Sequence, residues 1–467
     1  PRPVQFERRR KSYVRLVQQV AAVLFALTGC GAAWAVVPAT TPTGMLDGYV
    51  RRPDAAYGWT IRRRGVSGTG EFAELILTSQ KWRDLVWRHQ LFIYKPARVR
   101  DPSRAILLIG GGAWRDELLK PPAEGDALPR ESVLLTSLAD RLETTVAVLL
   151  QVPNQPIFDD LYEDAAISYS FEQFIRTGDD DWPLLLPMVK SAVRGMDAVA
   201  EFGAKHWDVK PDKFTLTGAS KRGWTTWLTS AVDRRVAALA PMVIDMLNLP
   251  EHIRLQLASW GKFSEQVHDY TERGIHVALL TPAGKRLLDA VDPARYLDRI
   301  EQPKLVLLGT NDRYWPLESA NLYWNDLKGE KLLLYVPNNG HGLRDLPRVV
   351  GGVAALHRHA TGELTLPKVR WVYRPLDDGG VELAITSDRE PAAVQAWTTT
   401  SPSRDFRDSV WTAKPIEKSD GRYVFRLPKP ARGLTAVLGE TQFADPVLPY
   451  YLSTTVHVCG EPSAPSE

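Results

Sequence analysis

A serine, an aspartate and a histidine each follow an apolar run that is typical of a buried strand. Ser220 follows the run Lys213–Thr217, and Asp312 and His341 follow two later runs. A serine hydroxyl is a nucleophile once a neutral imidazole accepts its proton, and a carboxylate can orient that imidazole. The sequence therefore predicts that Ser220 is the nucleophile, His341 the general base and Asp312 the acid that orients it.

The strongest local signal surrounds the serine. A strand-like run leads directly into Gly218-Ala-Ser220, and a stretch able to form a helix follows. This strand–turn–helix order is typical of a nucleophile elbow, in which a strained turn exposes the hydroxyl. The usual Gly-x-Ser-x-Gly has glycine two residues after the serine, but here Arg222 holds that place and Gly223 follows it. The backbone N–H of Lys221 is expected to face the oxyanion at the start of the helix.

A glycine-rich segment supplies the other oxyanion candidates. The apolar run Ala105–Ile109 is followed by three glycines and Trp114. In hydrolases with the order Ser…Asp…His, the loop after the third strand donates the second N–H, so Gly111 or Gly112 is expected to do so. Trp114 is a candidate substrate contact. A phosphate loop is the alternative, but no Gly-Lys-Ser/Thr follows.

Several other polar residues are weaker candidates. Asp245 follows a strand-like run and is an alternative triad acid. Glu163 and Asp164 are candidates for binding a cationic substrate group, with a solvated loop or a buried hydrogen-bonded anchor as the alternatives. His357 and His359 stand two apart on a predicted helix, so they are interpreted as surface residues. No metal-binding cluster emerges, and no cofactor is predicted.

Alternating strand and helix patterns indicate an α/β fold with a mostly parallel sheet flanked by helices. The chain order Ser220, Asp312, His341 narrows this prediction to an α/β-hydrolase fold. The predicted strands are Ala73–Thr78, Leu85–Tyr94, Ala105–Ile109, Val146–Val152, Lys213–Thr217, Val236–Val243, Lys304–Leu308 and Lys331–Val336. After residue 364, short alternating runs separated by turn signals predict a C-terminal antiparallel β-sandwich.

The predicted organisation has five parts. They are an N-terminal signal at 1–35, a linker and entry segment at 36–70, a hydrolase domain at 71–364, a β-sandwich at 365–458 and a tail at 459–467. Segments 153–182 and 250–299 are longer than a simple crossover connection needs to be. They are either cap elements over the site or additional packing.

Charge and hydropathy at the N-terminus predict export. Of the formal net charge of +3, the first fifteen residues carry +5, so the remainder carries −2 and predicts no nucleic-acid-binding face. No charged residue lies between Arg15 and Asp47, and the short apolar run in that stretch is typical of a secretory signal. Cleavage is expected either before Cys30, which a lipobox would leave lipidated, or after Ala35. The expected location is the periplasm or cell envelope, or outside the cell.

Seven short motifs together resemble the PhoPQ-activated pathogenicity-related protein family, which includes the autocrine proliferation repressor of social amoebae. They are Val152–Pro156, Glu163–Ala165, Trp182–Met188, Thr217–Gly223, Gly309–Asp312, Val336–His341 and Ser403–Arg407. The resemblance implies an exported α/β-hydrolase domain with a C-terminal β-domain, and it implies that Arg222 is a family trait. The Gly-Ala-Ser-Lys-Arg-Gly segment is also similar to one in glucuronoyl esterases.

These features predict an exported serine hydrolase that cleaves an ester or amide of a small molecule or peptide through an acyl-enzyme. Two alternatives stay open: a non-catalytic binding or signalling protein on the same fold, and a peptidase that prefers basic peptides. Only a lipid anchor at Cys30 would attach the chain to a membrane.

Overall fold

A long mixed sheet forms the centre of the fold. The computed structural model describes residues 44–123, 125, 128 and 130–463. The strand order is β1-β2-β3-β5-β4-β6-β7-β8-β9, antiparallel from β1 to β5 and parallel from β5 to β9. The strands are β1 (Gly58–Ser67), β2 (Gly70–Trp82), β3 (Leu85–Lys95), β4 (Arg104–Ile109), β5 (Thr145–Leu149), β6 (Lys213–Ala219), β7 (Val236–Met242), β8 (Lys304–Gly309) and β9 (Lys331–Val336).

Helices connect these strands and cover the sheet. They are α1 (Met45–Arg51), α2 (Arg130–Leu142), α3 (Glu163–Thr177), α4 (Leu185–His206), α5 (Lys221–Val232), α6 (Leu249–Trp260), α7 (His268–Glu272), α8 (Ile275–Ala278), α9 (Pro282–Val291) and α10 (Leu346–Ala360). Short 3₁₀ turns occur at Asp116–Leu119, Glu265–Val267, Pro293–Arg299, Ser319–Leu322 and Trp324–Asp326. In the described part of the chain, no helix is long and apolar enough to span a bilayer.

Two antiparallel sheets follow the last helix. One has the order β10-β11-β15-β14, and the other has β13-β12-β16-β17 with β18 also paired to β16. Their strands are β10 (Val369–Pro375), β11 (Val381–Ser387), β12 (Ala393–Ser401), β13 (Thr412–Pro415), β14 (Lys418–Ser419), β15 (Arg422–Leu427), β16 (Leu434–Phe443), β17 (Tyr450–Ser453) and β18 (His457–Gly460). The α/β-hydrolase architecture with a C-terminal antiparallel β region is thus as predicted.

The sheet brings the ends of distant sequence segments to one edge. Because β6, β8 and β9 run parallel, the loops that carry Ser220, Asp312 and His341 all leave at the same carboxyl edge. β8 is buried along its whole length, β9 is buried except at its first residue and β6 is buried except at its two ends, which explains their continuous apolar runs. This rigid edge is what holds the three loops near one another.

Two structural details differ from the sequence analysis. The segment predicted as a linker contains α1 and the edge strand β1, whose side chains alternate only weakly between half-buried and exposed. His357, interpreted as a surface residue, is buried, because this face of α10 packs on the sheet. Its ring nitrogens lie 2.9 Å from Thr215 Oγ1 and 3.1 Å from Thr144 Oγ1.

Candidate active site

Ser220 occupies a strained turn between β6 and α5. Its φ of 58° and ψ of −125° lie in a backbone region that residues other than glycine rarely adopt. The two glycines beside it allow strand and helix to approach. A Cβ on Gly218 would lie 2.7 Å from the Arg222 carbonyl oxygen, and one on Gly223 would lie 2.9 Å from the Met242 carbonyl oxygen. This is the geometry of a nucleophile elbow, with the glycine one place later than usual.

The three predicted side chains form one hydrogen-bonded relay. His341 Nε2 lies 2.8 Å from Ser220 Oγ, and His341 Nδ1 lies 2.8 Å from Asp312 Oδ2. The other carboxylate oxygen accepts a 2.9 Å hydrogen bond from the Tyr314 backbone N–H. A proton on Nδ1 is stabilised by the carboxylate, which leaves the Nε2 lone pair directed at the serine hydroxyl. The arrangement can therefore remove the serine proton as the hydroxyl attacks.

The acid and histidine loops hold each other in place. The Asn311 N–H donates to the Asn339 carbonyl oxygen at 2.9 Å, and the Asn338 N–H donates to Thr310 Oγ1 at 2.9 Å. A Cβ on Gly309 would lie 2.4 Å from the Asn339 carbonyl oxygen, so this close approach requires glycine. Asp312 and His341 are consequently fixed as a pair.

The C-terminal β region supports these two loops. Asn311 Nδ2 donates to the Ser409 carbonyl oxygen at 2.7 Å. The Asn338 amide donates to the Trp411 carbonyl oxygen at 2.9 Å and accepts from the Trp411 N–H at 2.7 Å. The backbone between β12 and β13 thus positions the loops that carry the acid and the base.

Arg222 fastens the elbow to the loop that leads into α3. Its guanidinium makes two hydrogen bonds to Glu163, at 2.7 and 2.6 Å, and a third to the Val152 carbonyl oxygen at 2.5 Å. Burial by itself raises the pKa of Glu163, but the hydrogen bonds and charge of Arg222 outweigh it and hold that pKa below its usual value. Gln155 donates a further 2.7 Å hydrogen bond to Glu163. Glu163 is therefore an anchor of the elbow.

A second ionic cluster involves the residue after the nucleophile. Lys221 Nζ lies 2.7 Å from Asp164 Oδ2, and the hydroxyl groups of Tyr270 and Tyr314 donate to Asp164 at 2.9 and 3.1 Å. The Tyr314 ring stacks on the His341 imidazole at 4.2 Å between centroids. This stack limits the rotation of the general base.

A cavity of about 100 Å³ opens beside Ser220. Helices α6 to α9, which make up most of segment 250–299, form its roof, and α3 contributes from segment 153–182. Its apolar lining includes Leu249, Ile253, Val267, Ile275, Leu279 and Leu287. Both segments therefore contribute to the enclosure of the candidate site.

Comparison with known proteins places the chain in a family. Residues 46–407 match the model of the PhoPQ-activated pathogenicity-related protein family. The chain is also 32% identical over 433 residues to autocrine proliferation repressor protein A of Dictyostelium discoideum, covering 85% of each protein. The chain belongs to the PhoPQ-activated pathogenicity-related protein family.

Solved structures with similar folds share little sequence with this family member. An acetyl xylan esterase from a Paenibacillus species has a TM-score of 0.46 and 12% identity, covering 65% of this chain and 91% of that chain. Acetyl xylan esterase 1 from a Thermoanaerobacterium species has a TM-score of 0.44 and 17% identity, covering 67% of this chain and 93% of that chain.

Of the three oxyanion candidates, Lys221 and Gly111 adjoin Arg222, whereas Gly112 does not. Lys221 is the first residue of α5, directly after Ser220. The Gly111 carbonyl accepts from the Gln151 N–H at 2.8 Å, and a Cβ on Gly111 would lie 2.4 Å from the Arg222 guanidinium. Gly112 has a φ of +106° with open space beside it. Only Gly111 is thus packed against the guanidinium of Arg222.

The remaining candidates lie apart from the relay. Asp245 is buried and accepts a 2.7 Å hydrogen bond from the Tyr323 hydroxyl, whereas the imidazole of His341 pairs with Asp312. Trp114 is half-buried, donates its indole N–H to Asp116 at 3.0 Å and does not line the cavity. Cys30 lies outside the described residues. Within the described ranges, no group of His, Cys, Asp and Glu side chains is arranged to hold a metal ion.

The acidic pair of this family member is occupied by the protein's own cations. Glu163 binds Arg222 and Asp164 binds Lys221, so neither carboxylate is left without a counterion. The sequence did not lead us to two contacts of the site: the stacking of Tyr314 on the His341 ring and the hydrogen bonds between Trp411 and Asn338. Tyr314 follows Asp312 by two residues, which was an available signal, whereas the Trp411 contact joins segments 73 residues apart.

Proposed function

We propose that this protein is a serine hydrolase that cleaves an ester or an amide through an acyl-enzyme intermediate. The observation that carries the proposal is the relay, in which His341 Nε2 lies 2.8 Å from the Ser220 hydroxyl on a strained elbow. Strain of this kind persists only where the surrounding structure maintains it, and it is concentrated at functional sites. Membership of the family agrees with the proposal but does not specify a reaction.

The first half-reaction forms the acyl-enzyme. As Ser220 Oγ bonds to the acyl carbon, its proton moves to His341 Nε2, and the carbonyl becomes an oxyanion. The backbone N–H of Lys221 and that of Gly111 or Gly112 stabilise the oxyanion. The bond to the leaving group then breaks, and the imidazolium returns the proton to the leaving oxygen or nitrogen.

The second half-reaction restores the enzyme. A water molecule loses a proton to His341 as it attacks the acyl carbon, and the imidazolium then protonates Ser220 Oγ as the acid product leaves. Asp312 remains ionised throughout, because its function is to fix the tautomer and stabilise the imidazolium.

Labelling with a fluorophosphonate probe tests the proposal directly. We expect the folded protein to be labelled stoichiometrically and Ser220→Ala not to be labelled. Ser230→Ala is the matched control, because Ser230 lies on α5 but its hydroxyl donates only to the Thr226 carbonyl, at 2.8 Å. Absence of labelling in folded wild-type protein, or labelling that survives Ser220→Ala, would contradict the proposal.

A further inference from the structure

The position of the cavity indicates which part of a substrate it would hold. Ser220, Lys221 and Trp224 line it, whereas His341 does not. In an acyl transfer the leaving group must lie near the imidazole that protonates it, so the acyl chain extends away from that imidazole. A cavity that contacts the nucleophile but not the base is therefore placed for the acyl side.

The charged groups at the cavity are already paired. Both oxygens of the Asp164 carboxylate are engaged, one by Tyr270 and the other by Lys221 and Tyr314. A charged acyl group would lose its hydration without gaining a free counterion, which is strongly unfavourable. The lining thus favours an uncharged acyl group.

Apolar packing would supply most of the binding free energy. The roof presents aliphatic side chains, and a dry apolar cavity of about 150 Å³ is known to accept benzene. The space beside Ser220 is of that order. It suits a short aliphatic chain or a single ring and is too confined for a folded peptide segment.

The ring nitrogens of the residues around the cavity do not face it. His252 is 1% exposed, and both of its ring nitrogens are covered by protein atoms. Trp315 Nε1 and His276 Nδ1, which belong to residues of the same lining, are covered in the same way. An occupant of the cavity would therefore meet apolar surface and no free hydrogen-bond donor from these rings.

We propose, on the basis of the hydrolase function above, that the cavity binds the acyl group of the substrate. This group is uncharged and apolar, because the surface that it contacts offers no free counterion at Asp164 and no accessible ring nitrogen. The imidazole of His252 is neutral near pH 7, since burial lowers its pKa to about 3. It therefore adds no charge to the lining.

A series of 4-nitrophenyl esters with one leaving group tests the acyl preference. The acyl groups are acetyl, hexanoyl, 5-oxohexanoyl and the adipoyl monoanion. Four buried methylenes are expected to raise kcat/KM for hexanoyl over acetyl by on the order of 100-fold. The 5-oxohexanoyl ester should fall below hexanoyl, because its ketone would lose its hydration without gaining a hydrogen-bond partner in the lining. The adipoyl ester should be the poorest of the six-carbon substrates.

One cavity variant and one matched control locate the effect. Ile253→Trp should fill the space and collapse the hexanoyl-to-acetyl ratio toward one. Trp227→Phe changes a fully buried aromatic side chain outside the cavity, so it should leave that ratio unchanged.

A binding measurement separates this inference from the hydrolase proposal. Calorimetric binding of the hexanoyl ester to Ser220→Ala, weakened at least 10-fold by adding Ile253→Trp, would support the cavity assignment even if the wild type hydrolyses no ester. Hydrolysis without chain-length preference, a preference for the adipoyl ester, or binding that ignores Ile253→Trp would overturn the inference and leave the hydrolase proposal standing. A preference for 5-oxohexanoyl over hexanoyl would overturn the assignment of an apolar acyl group to the cavity.

Discussion

At the scale of single residues, the decisive feature is which carboxylate orients the histidine. Two aspartates follow neighbouring parallel strands, and only Asp312 reaches His341 Nδ1, at 2.8 Å. Asp245 is buried beside Tyr323 instead. Burial first, and the charge of Asp312 second, raise the pKa of Asp245 to about 8, so this group is protonated near neutral pH. A neutral carboxyl group cannot stabilise an imidazolium by charge, which separates the two aspartates by chemistry as well as by position.

Exchanging each aspartate for asparagine should distinguish their roles. Asp312→Asn should lower kcat for 4-nitrophenyl acetate by on the order of 10⁴-fold, because the amide favours the wrong tautomer of His341. Asp245→Asn should retain most of the activity, since a protonated carboxyl and an amide have similar shape and neither is charged. Steady-state kinetics on both variants measures the two losses in kcat, and near-UV circular dichroism verifies folding. Equal losses in the two variants would refute the assignment of Asp312.

At the scale of elements, the elbow depends on an ion pair in place of a second small residue. Arg222 stands where the usual motif has glycine, and its guanidinium extends across Gly111 to reach Glu163 at the start of α3. This side chain links β6 and α5 to the loop after β5 through the Val152 carbonyl. The departure from the usual motif is thus explained by a link between three segments.

A double-mutant cycle measures the strength of this link. Arg222→Met should destabilise the fold by about 2 kcal/mol or more, because it leaves Glu163 partly buried without its partner. Fully buried pairs cost about 3–5 kcal/mol when broken, and the lower figure here reflects the 36% exposure of Glu163. Glu163→Gln should also destabilise, and the double variant should lose less than the sum of the two. Urea unfolding gives all three free energies.

An exposed ion pair of the same chemistry serves as the control for the cycle. Arg254 and Glu251 lie 2.5 Å apart on α6, and their side chains are 53% and 40% exposed. Removing either partner should change stability by less than about 1 kcal/mol, because solvent screens such pairs. If the Arg222–Glu163 cycle gave no larger coupling than this pair, Arg222 would not be a structural link.

At the scale of the whole molecule, strand ends were predictable from sequence and contacts between distant segments were not. Continuous apolar runs revealed β6, β8 and β9, and therefore where Ser220, Asp312 and His341 leave the sheet. The support from Trp411 depends on how the C-terminal β region packs, which no local pattern encodes. β1 escaped notice because an edge strand needs neither a continuous apolar run nor strict alternation.

The burial of His357 is another feature that no local sequence pattern encodes, and buried histidines affect the stability of the fold in acid. His89, His252 and His357 are all buried, and burial lowers their pKa values to about 4, about 3 and about 4. In the unfolded chain each would titrate near 6.5, so between pH 4 and 6 the unfolded state binds about three more protons than the folded state. Asp245 acts in the opposite direction, because its raised pKa of about 8 keeps one proton on the folded state.

The net difference for these four groups is two protons, and it favours the unfolded state as pH falls. Near pH 5 the free energy of unfolding should therefore decrease by about 2.7 kcal/mol for each unit of acidification from these groups alone. Urea unfolding at pH 5.0, 5.5 and 6.0 measures the slope. His89→Gln should reduce it by about one proton, or about 1.4 kcal/mol per pH unit, whereas Asp245→Asn should steepen it by the same amount. An unchanged slope in both variants would mean that neither buried group retains its uncharged form in the folded protein.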